Sequence, residues 1–197
     1  MAPLSLVSGP SPGPLQLRVA LAHVDRGLDV VEKLIVTRDP QASAEHVILR
    51  VLAWCLFHAE GLRLADGAPR KDVPDLAVLG LDLKARLWIA CGGADAEEIR
   101  RVVAHNRGVT VHVVVDEDAP RERLLRQIAG IKKRPPGFDD LSIWTIEREM
   151  VERLAAIPEL RQRWAVTVVA DHIYVDADGT KVDSAVARTP APPYEEG

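Results

Sequence analysis

Residues 86–115 read RLWIACGGADAEEIRRVVAHNRGVTVHVVV, and this stretch decides the fold. Arg86 to Cys91 is a short, mostly apolar run closed by Gly92-Gly93, the signature of a strand. Asp95 stands where a helix cap belongs, with Glu98 three residues on in a capping-box-like spacing. The helix it opens ends near His105, with Asn106 and Gly108 as exit signals. Val109 to Val115 is nearly all apolar, as expected of an interior parallel strand that returns after a crossover helix. Strand, helix and parallel strand together specify an α/β protein with helices against the sheet.

The same logic extends both ways. Upstream, Leu15 to Val24 alternates as LQLRVALAHV, Asp25-Arg26-Gly27 is a turn, and Leu28 to Thr37 is the hairpin partner. Asp39-Pro40 then opens a helix expected from about Gln41 to Glu60, with Gly61 as its stop. At about 100° per residue, Val47, Ile48, Val51, Leu52, Cys55, Leu56 and Ala59 form an apolar arc. His46 and Arg50 fall outside it, whereas Glu45 lies within it, beside Leu49, Leu52 and Leu56. A carboxylate on a buried stripe is costly without a partner, so Glu45 needs an explanation.

After a polar loop, Ala65 to Asp72, the segment LAVLGLDL (76–83) is expected to form a strand neighbouring Arg86 to Cys91. Downstream come a helix from Pro120 to Ala129 and the basic loop IKKRPPGF. A strand from Leu141 to Ile146 and a helix from Glu147 to Ala156 follow. WAVTVVA and HIYVDADGTKVDSA close the chain as a pair with an Asp178-Gly179 turn. The expected organisation is a flexible N-terminus (1–14), one domain (15–188) and a disordered tail (189–197), without internal repeats.

Composition narrows the function classes. Apolar residues make up 47% and charged residues 27% of 197, values of a globular chain with a sizeable core. No apolar run approaches the roughly 20 residues that span a bilayer, which argues against a membrane partner. MAPLSLVSGPSPGP lacks basic residues ahead of an apolar segment and makes a poor signal peptide, so the cytoplasm is the expected location. Cys55 and Cys91 belong to no CxxC pair and read as buried free thiols. His112, on an apolar strand, reads as a core residue, and Trp54, Trp88, Trp144 and Trp164 read as packing residues. The net charge of −4 gives no global attraction to nucleic acid, so any such binding needs a local patch.

The strongest constellation is Glu45 on its helix, Pro74-Asp75 at a strand start, and the strand Arg86 to Cys91. This order resembles the PD-(D/E)xK nucleases. In that superfamily a helical Glu, a PD aspartate and a (D/E)xK strand surround Mg²⁺ or Mn²⁺, which activates water against a phosphodiester. The ordered set HVDRG (23–27), EHVILRVLAW (45–54), VPDL (73–76), LWIACG (87–92), Asp95 to Arg101 and LSIWTI (141–146) is similar to the YaeQ family. The resemblance covers roughly Leu15 to Ala185 and implies a mixed sheet flanked by helices, a variation on the nuclease fold.

Carried over residue by residue, the resemblance is uneven. Glu45 matches the helical acid and Asp75 the PD aspartate, but Ala90 stands where the family's LWIE strand has glutamate. Gly92 replaces the usual nuclease lysine, and Arg101 stands where family members have a lysine in the next helix. A guanidinium stabilises phosphate but is no general base near pH 7. Losing a carboxylate from a Mg²⁺ site with few protein ligands weakens metal binding severely.

Asp82 and Asp95 are the candidates for a relocated acid, the latter also reading as a helix cap. Arg121, Arg123, Arg126, Lys132, Lys133 and Arg134 form the best local patch for phosphate contacts, diluted by Glu122 and by Asp116-Glu117-Asp118. The first expectation is therefore a nuclease-type site without phosphodiesterase activity, in a protein that binds DNA, RNA or a protein partner. An active Mg²⁺-dependent nuclease with a relocated acid is the second, and a purely structural or interaction protein the third.

Overall fold

The computed structural model describes residues 13–37, 42–66 and 73–194. Among the described residues ten strands form one mixed sheet. In chain order they are β1 (Leu15–His23), β2 (Leu28–Val36), β3 (Arg63–Leu64), β4 (Leu76–Leu79), β5 (Ala85–Cys91), β6 (Thr110–Val115), β7 (Ser142–Ile146), β8 (Arg161–Val169), β9 (His172–Ala177) and β10 (Thr180–Pro190). The four α-helices are α1 (Ala44–Phe57), α2 (Ala96–His105), α3 (Asp118–Ala129) and α4 (Arg148–Ala155). The spatial order is β2-β1-β8-β9-β10-β7-β6-β5-β4-β3. β5, β6 and β7 run parallel, as do β1 and β8, and the other neighbours are antiparallel.

Two cores explain why the strands differ in sequence pattern. The inward residues of β1, β2, β8, β9 and β10 pack with α1 and α4. Their other face meets solvent, so LQLRVALAH alternates strictly. β5 and β6 are covered on both faces. Ile89, Cys91 and Val114 join the α1 core, while Trp88, Ala90, Val111, Val113 and Val115 join a second core with α2 and α3. α1 is buried without interruption from Val47 to Leu56, Arg50 included, which marks a helix enclosed by the fold rather than laid on its surface.

Several expectations need correction. α1 starts at Ala44 and stops at Phe57, because the Ser43 hydroxyl accepts the His46 N–H at 3.1 Å and His58 leaves helical geometry. The expected start at Asp39-Pro40 and Gln41 lies outside the described residues, as do residues 1–12 of the N-terminus and most of the loop at 67–72. β4 ends at Leu79. Gly80 N–H bonds Lys84 O at 2.8 Å, and the Asp82 carboxylate accepts the Lys84 N–H, so a turn carries Leu81 and Leu83 into solvent.

The closing segment holds three strands instead of two. Asp178 (φ 47) and Gly179 (φ 96) turn β9 into β10, the left-handed pair that a two-residue hairpin requires. The expected disordered tail is ordered over 189–194: Thr189 pairs with Ile143 and Pro190 with Ser142, Ala191 is buried, and Tyr194 donates its hydroxyl to Lys132 O at 2.9 Å; residues 195–197 lie outside the described residues. Arg134 captures the segment through Pro192 O. Cys55 and Cys91 are buried free thiols, as expected.

Candidate functional site

The parallel strands β5, β6 and β7 end together at Cys91, Val115 and Ile146. In open α/β sheets the carboxyl ends of parallel strands are where ligand sites form. Asp75 reaches this edge from the start of β4. Its own N–H bonds Ile89 O at 2.9 Å, which anchors the backbone to β5.

Each oxygen of the Asp75 carboxylate meets one protein donor. Oδ1 faces His46 Nε2 at 3.0 Å, and Oδ2 accepts the Cys91 N–H at 2.8 Å. Arg50 Nε stands 3.5 Å from Oδ1, an ion pair without hydrogen-bond geometry, while Arg50 Nη2 donates to Ala65 O. Arg50 is only 4% exposed, so its charge depends on Asp75 for compensation. Gly92 (φ 78) passes close beneath His46: a Cβ there would lie 3.4 Å from Nδ1. The position expected for a nuclease lysine therefore has a left-handed backbone that favours glycine, beneath the imidazole.

The sequence-derived residues do not converge on one point. Glu45 sits in the first turn of α1. Its carboxyl is held below the usual range by its own backbone N–H and the Ser43 hydroxyl, with Arg148 assisting against partial burial. This N-terminal role is the explanation its place on the apolar arc demanded. Asp95 caps α2, its Oδ1 accepting the N–H groups of Glu97 at 2.9 Å and Glu98 at 3.2 Å. Asp82 lies in the turn beyond Leu79, itself about 13 Å from Asp75 at 3.3 Å per strand residue, and pairs with Arg86.

Ala90 and Arg101 belong to the other side of the sheet. Ala90 is packed in the second core, and Arg101 lies on α2, which packs into that core. Among the described residues no three His, Cys, Asp or Glu side chains converge as metal ligands do. The donor set does not fit Mg²⁺ or Mn²⁺. Asp75 stands beside the Arg50 guanidinium with no second carboxylate converging on it among the described residues, and a carboxylate at position 90 would face the opposite core.

The basic patch also divides. Arg121 pairs with Asp118 at 2.9 Å and Arg126 with Glu122 at 3.8 Å. Arg134 is buried, bonded to Asp139, Pro192 O and Ile128 O, and its guanidinium lies against the Phe138 and Tyr194 rings. Arg123, Lys132 and Lys133 remain exposed.

Sequence reasoning missed His46 and Arg50 as site residues. Their signal was the i, i+4 spacing, which puts both on one helix face toward one carboxylate. It also missed Arg148, which starts α4 beside β7 and binds Glu117, Glu152 at 2.7 Å and Asp116 at 3.8 Å. Asp116 and Glu117, which the sequence offers only as diluting the basic patch, thus serve Arg148.

The fold and this edge define a mixed α/β protein with a large sheet, an enclosed helix and a polar cluster at the ends of three parallel strands. Within that class the chain belongs to the YaeQ family, since the family described as YaeQ protein matches residues 11–186. It is 30% identical over 150 residues to "Uncharacterized protein YaeQ" of Salmonella typhi, covering 76% of this chain and 80% of that protein. The protein of the same description from Escherichia coli K12 is 22% identical over 165 residues, covering 84% and 88%.

The fold is also that of the crystal structure of YaeQ protein from Xanthomonas axonopodis pv. citri, with a TM-score of 0.80 and 21% identity over 91% of this chain and 98% of that one. The YaeQ protein from Pseudomonas syringae gives a TM-score of 0.76 at 19% identity, over 89% and 94%. No helix among the described residues is long and apolar enough to cross a membrane.

Proposed function

We propose that this YaeQ-family chain carries a nuclease-type scaffold whose metal centre has become a polar brace, and that it works by binding rather than by cleaving phosphodiesters. The nuclease-like reading is supported by two of its marker positions, Glu45 on α1 next to His46, which meets Asp75, and Asp75 itself at the opening of β4, whereas Ala90 on β5 faces the other core. The loss of metal chemistry rests on one observation: both Asp75 oxygens are engaged by His46 and the Cys91 N–H, with Arg50 adding positive charge. A divalent cation would share those oxygens with two hydrogen bonds and would have to approach a buried guanidinium. A cytoplasmic location and a nucleic-acid or protein partner belong to the same reading.

The test is thermal unfolding during Mn²⁺ and Mg²⁺ titration, together with cleavage assays on DNA and RNA, for the natural chain and Asp75→Asn. The expected result is no metal-dependent rise in Tm and no cleavage. A site filled at 100 times its Kd adds about 2.7 kcal/mol, or roughly 5–10 °C for a chain of this size. A rise of that order that disappears in Asp75→Asn would overturn the proposal.

A further inference from the structure

The solvent face of β2, β1 and β8 carries an arrangement that sheet energetics disfavours. Arg18 lies directly opposite Lys33 on β2 and directly opposite Arg163 on β8. Three cations thus stand in one row across three strands, and like charges in such pairs repel. Arg161, two residues before Arg163, adds a fourth cation and is opposite Gln16 in the next row. All four side chains are exposed, and none of them forms an ion pair among the described residues. In a chain of net charge −4 this clustering runs against composition. Such an uncompensated row is understandable if its counter-charges come from a ligand.

Dimensions choose the ligand class. At about 4.8 Å between strands the row of three spans roughly 10 Å, and Arg161 lies about 6.6 Å further along β8. A single phosphate or carboxylate meets one or two of these charges, whereas a chain of repeated anions meets all four. The row borders a depression of about 420 Å³ whose acidic lining residue is Asp178, already bonded to the Arg163 backbone N–H at 2.9 Å, and an adjoining one that Asp176 also lines; neither carboxylate forms an ion pair with the row. Ala20 and Ala165, paired in the row behind, keep the floor low. Beside the cations, Ile35 (67% exposed) and Val31 (56%) give bases an apolar surface. A narrow strand seats in such a depression on a twisted sheet, and a flat lipid surface would leave it empty.

We propose that the exposed face of β2-β1-β8, centred on Arg18, Lys33, Arg161 and Arg163, binds the phosphodiester backbone of a nucleic-acid strand. This deepens, and rests on, the binding half of the proposed function, and it moves the nucleic-acid contact away from the α3 patch.

Fluorescence anisotropy in EDTA, with a labelled single-stranded DNA, the matching RNA and a duplex, tests it between roughly 50 and 200 mM salt. Arg18→Gln/Arg163→Gln is expected to weaken binding about tenfold or more at low salt and to reduce the log–log salt slope by about 2. Lys132→Ala/Lys133→Ala should change neither quantity. Tm of the glutamine variant should hold or rise, because repulsion is relieved, and this separates lost contact from lost fold. The proposal is overturned if the natural chain binds none of the three probes, or if the glutamine variant binds as the natural chain does. Tighter binding to anionic lipid vesicles than to any strand, through the same arginines, also overturns it. If metal titration reveals a working Asp75 site while the glutamine variant still loses strand affinity, the metal-free reading fails and this face stands.

Discussion

Asp75 is fastened to β5 at its carboxylate as well as its backbone: the Cys91 N–H donates to Oδ2 at 2.8 Å. With His46 on Oδ1, this makes the acid a clamp between α1, β4 and β5 rather than an open ligand. Asp75→Asn keeps the shape and one acceptor for Cys91 but leaves Arg50 without its anion. Removing one partner of a buried pair costs about 3 kcal/mol. Urea unfolding should show that loss, and the double change Asp75→Asn/Arg50→Met should recover part of it. Equal stability of Asp75→Asn and the natural chain would show that Arg50 does not depend on the clamp.

His112 links the fold to pH. Burial first, then the Arg188 charge, push its imidazole down to about 4, against an opposing pull from the Val111 backbone. The ring is stacked on Phe57 and accepts the Trp144 indole N–H at 3.3 Å. In the unfolded chain the same group titrates near 6.5. Between those values the unfolded state binds more protons, so stability rises with pH and is lost as pH falls from about 6.5 to about 4. The contribution is at most about 3 kcal/mol. His112→Phe should flatten this slope in urea unfolding at pH 5 and pH 7. An unchanged slope would place the proton uptake elsewhere, with His23 and His58, both also lowered by burial, as the next groups to replace.

The fold was legible where one local pattern dominated. LQLRVALAH alternates because one face is wet, VTVHVVV does not because both faces are covered, and both readings held. Boundaries failed where side-chain chemistry outweighed pattern. Ser43 moved the start of α1, and Gly80 with Asp82 cut LAVLGLDL short. The site was legible only in part. Asp75 was found from Pro-Asp and its position before β5, but its partners sit 29 and 25 residues upstream on a helix whose enclosure no periodicity reveals. An arginine off the apolar arc reads as solvated. Only a helix enclosed by the sheet buries it.

Arg134 holds the segment after β10 in place. Its guanidinium bonds Pro192 O at 2.7 Å and Ile128 O at 2.9 Å between the rings of Phe138 and Tyr194. A lysine lacks the planar fork that reaches both carbonyls from between two rings. Arg134→Lys should cost about 2 kcal/mol, the range for lost hydrogen bonds to a charged group. It should also speed proteolysis after β10, while Lys133→Ala leaves both unchanged. If the two variants are cleaved alike, the segment is held by β10 pairing and not by Arg134.

Ala90 decides whether a single substitution separates this chain from a metal-binding relative. If the site were one carboxylate short, Ala90→Glu would complete it and Mn²⁺ would raise Tm. The geometry argues otherwise. Side chains alternate across a strand, so Ile89 and Cys91 face α1 while Ala90 faces the core of α2 and α3, beside Trp88 and Val113. Asp75, meanwhile, bonds His46 on the α1 side. A glutamate at position 90 would enter an apolar core unpaired, and desolvating its carboxylate costs several kcal/mol or forces it to protonate. The expected outcome is a variant with a much lower Tm that Mn²⁺ leaves unmoved, partly rescued when pH falls and the carboxyl becomes neutral. A Mn²⁺-dependent rise in Ala90→Glu, absent from Ala90→Gln, would mean that β5 can turn this position toward Asp75 and that the clamp yields to metal.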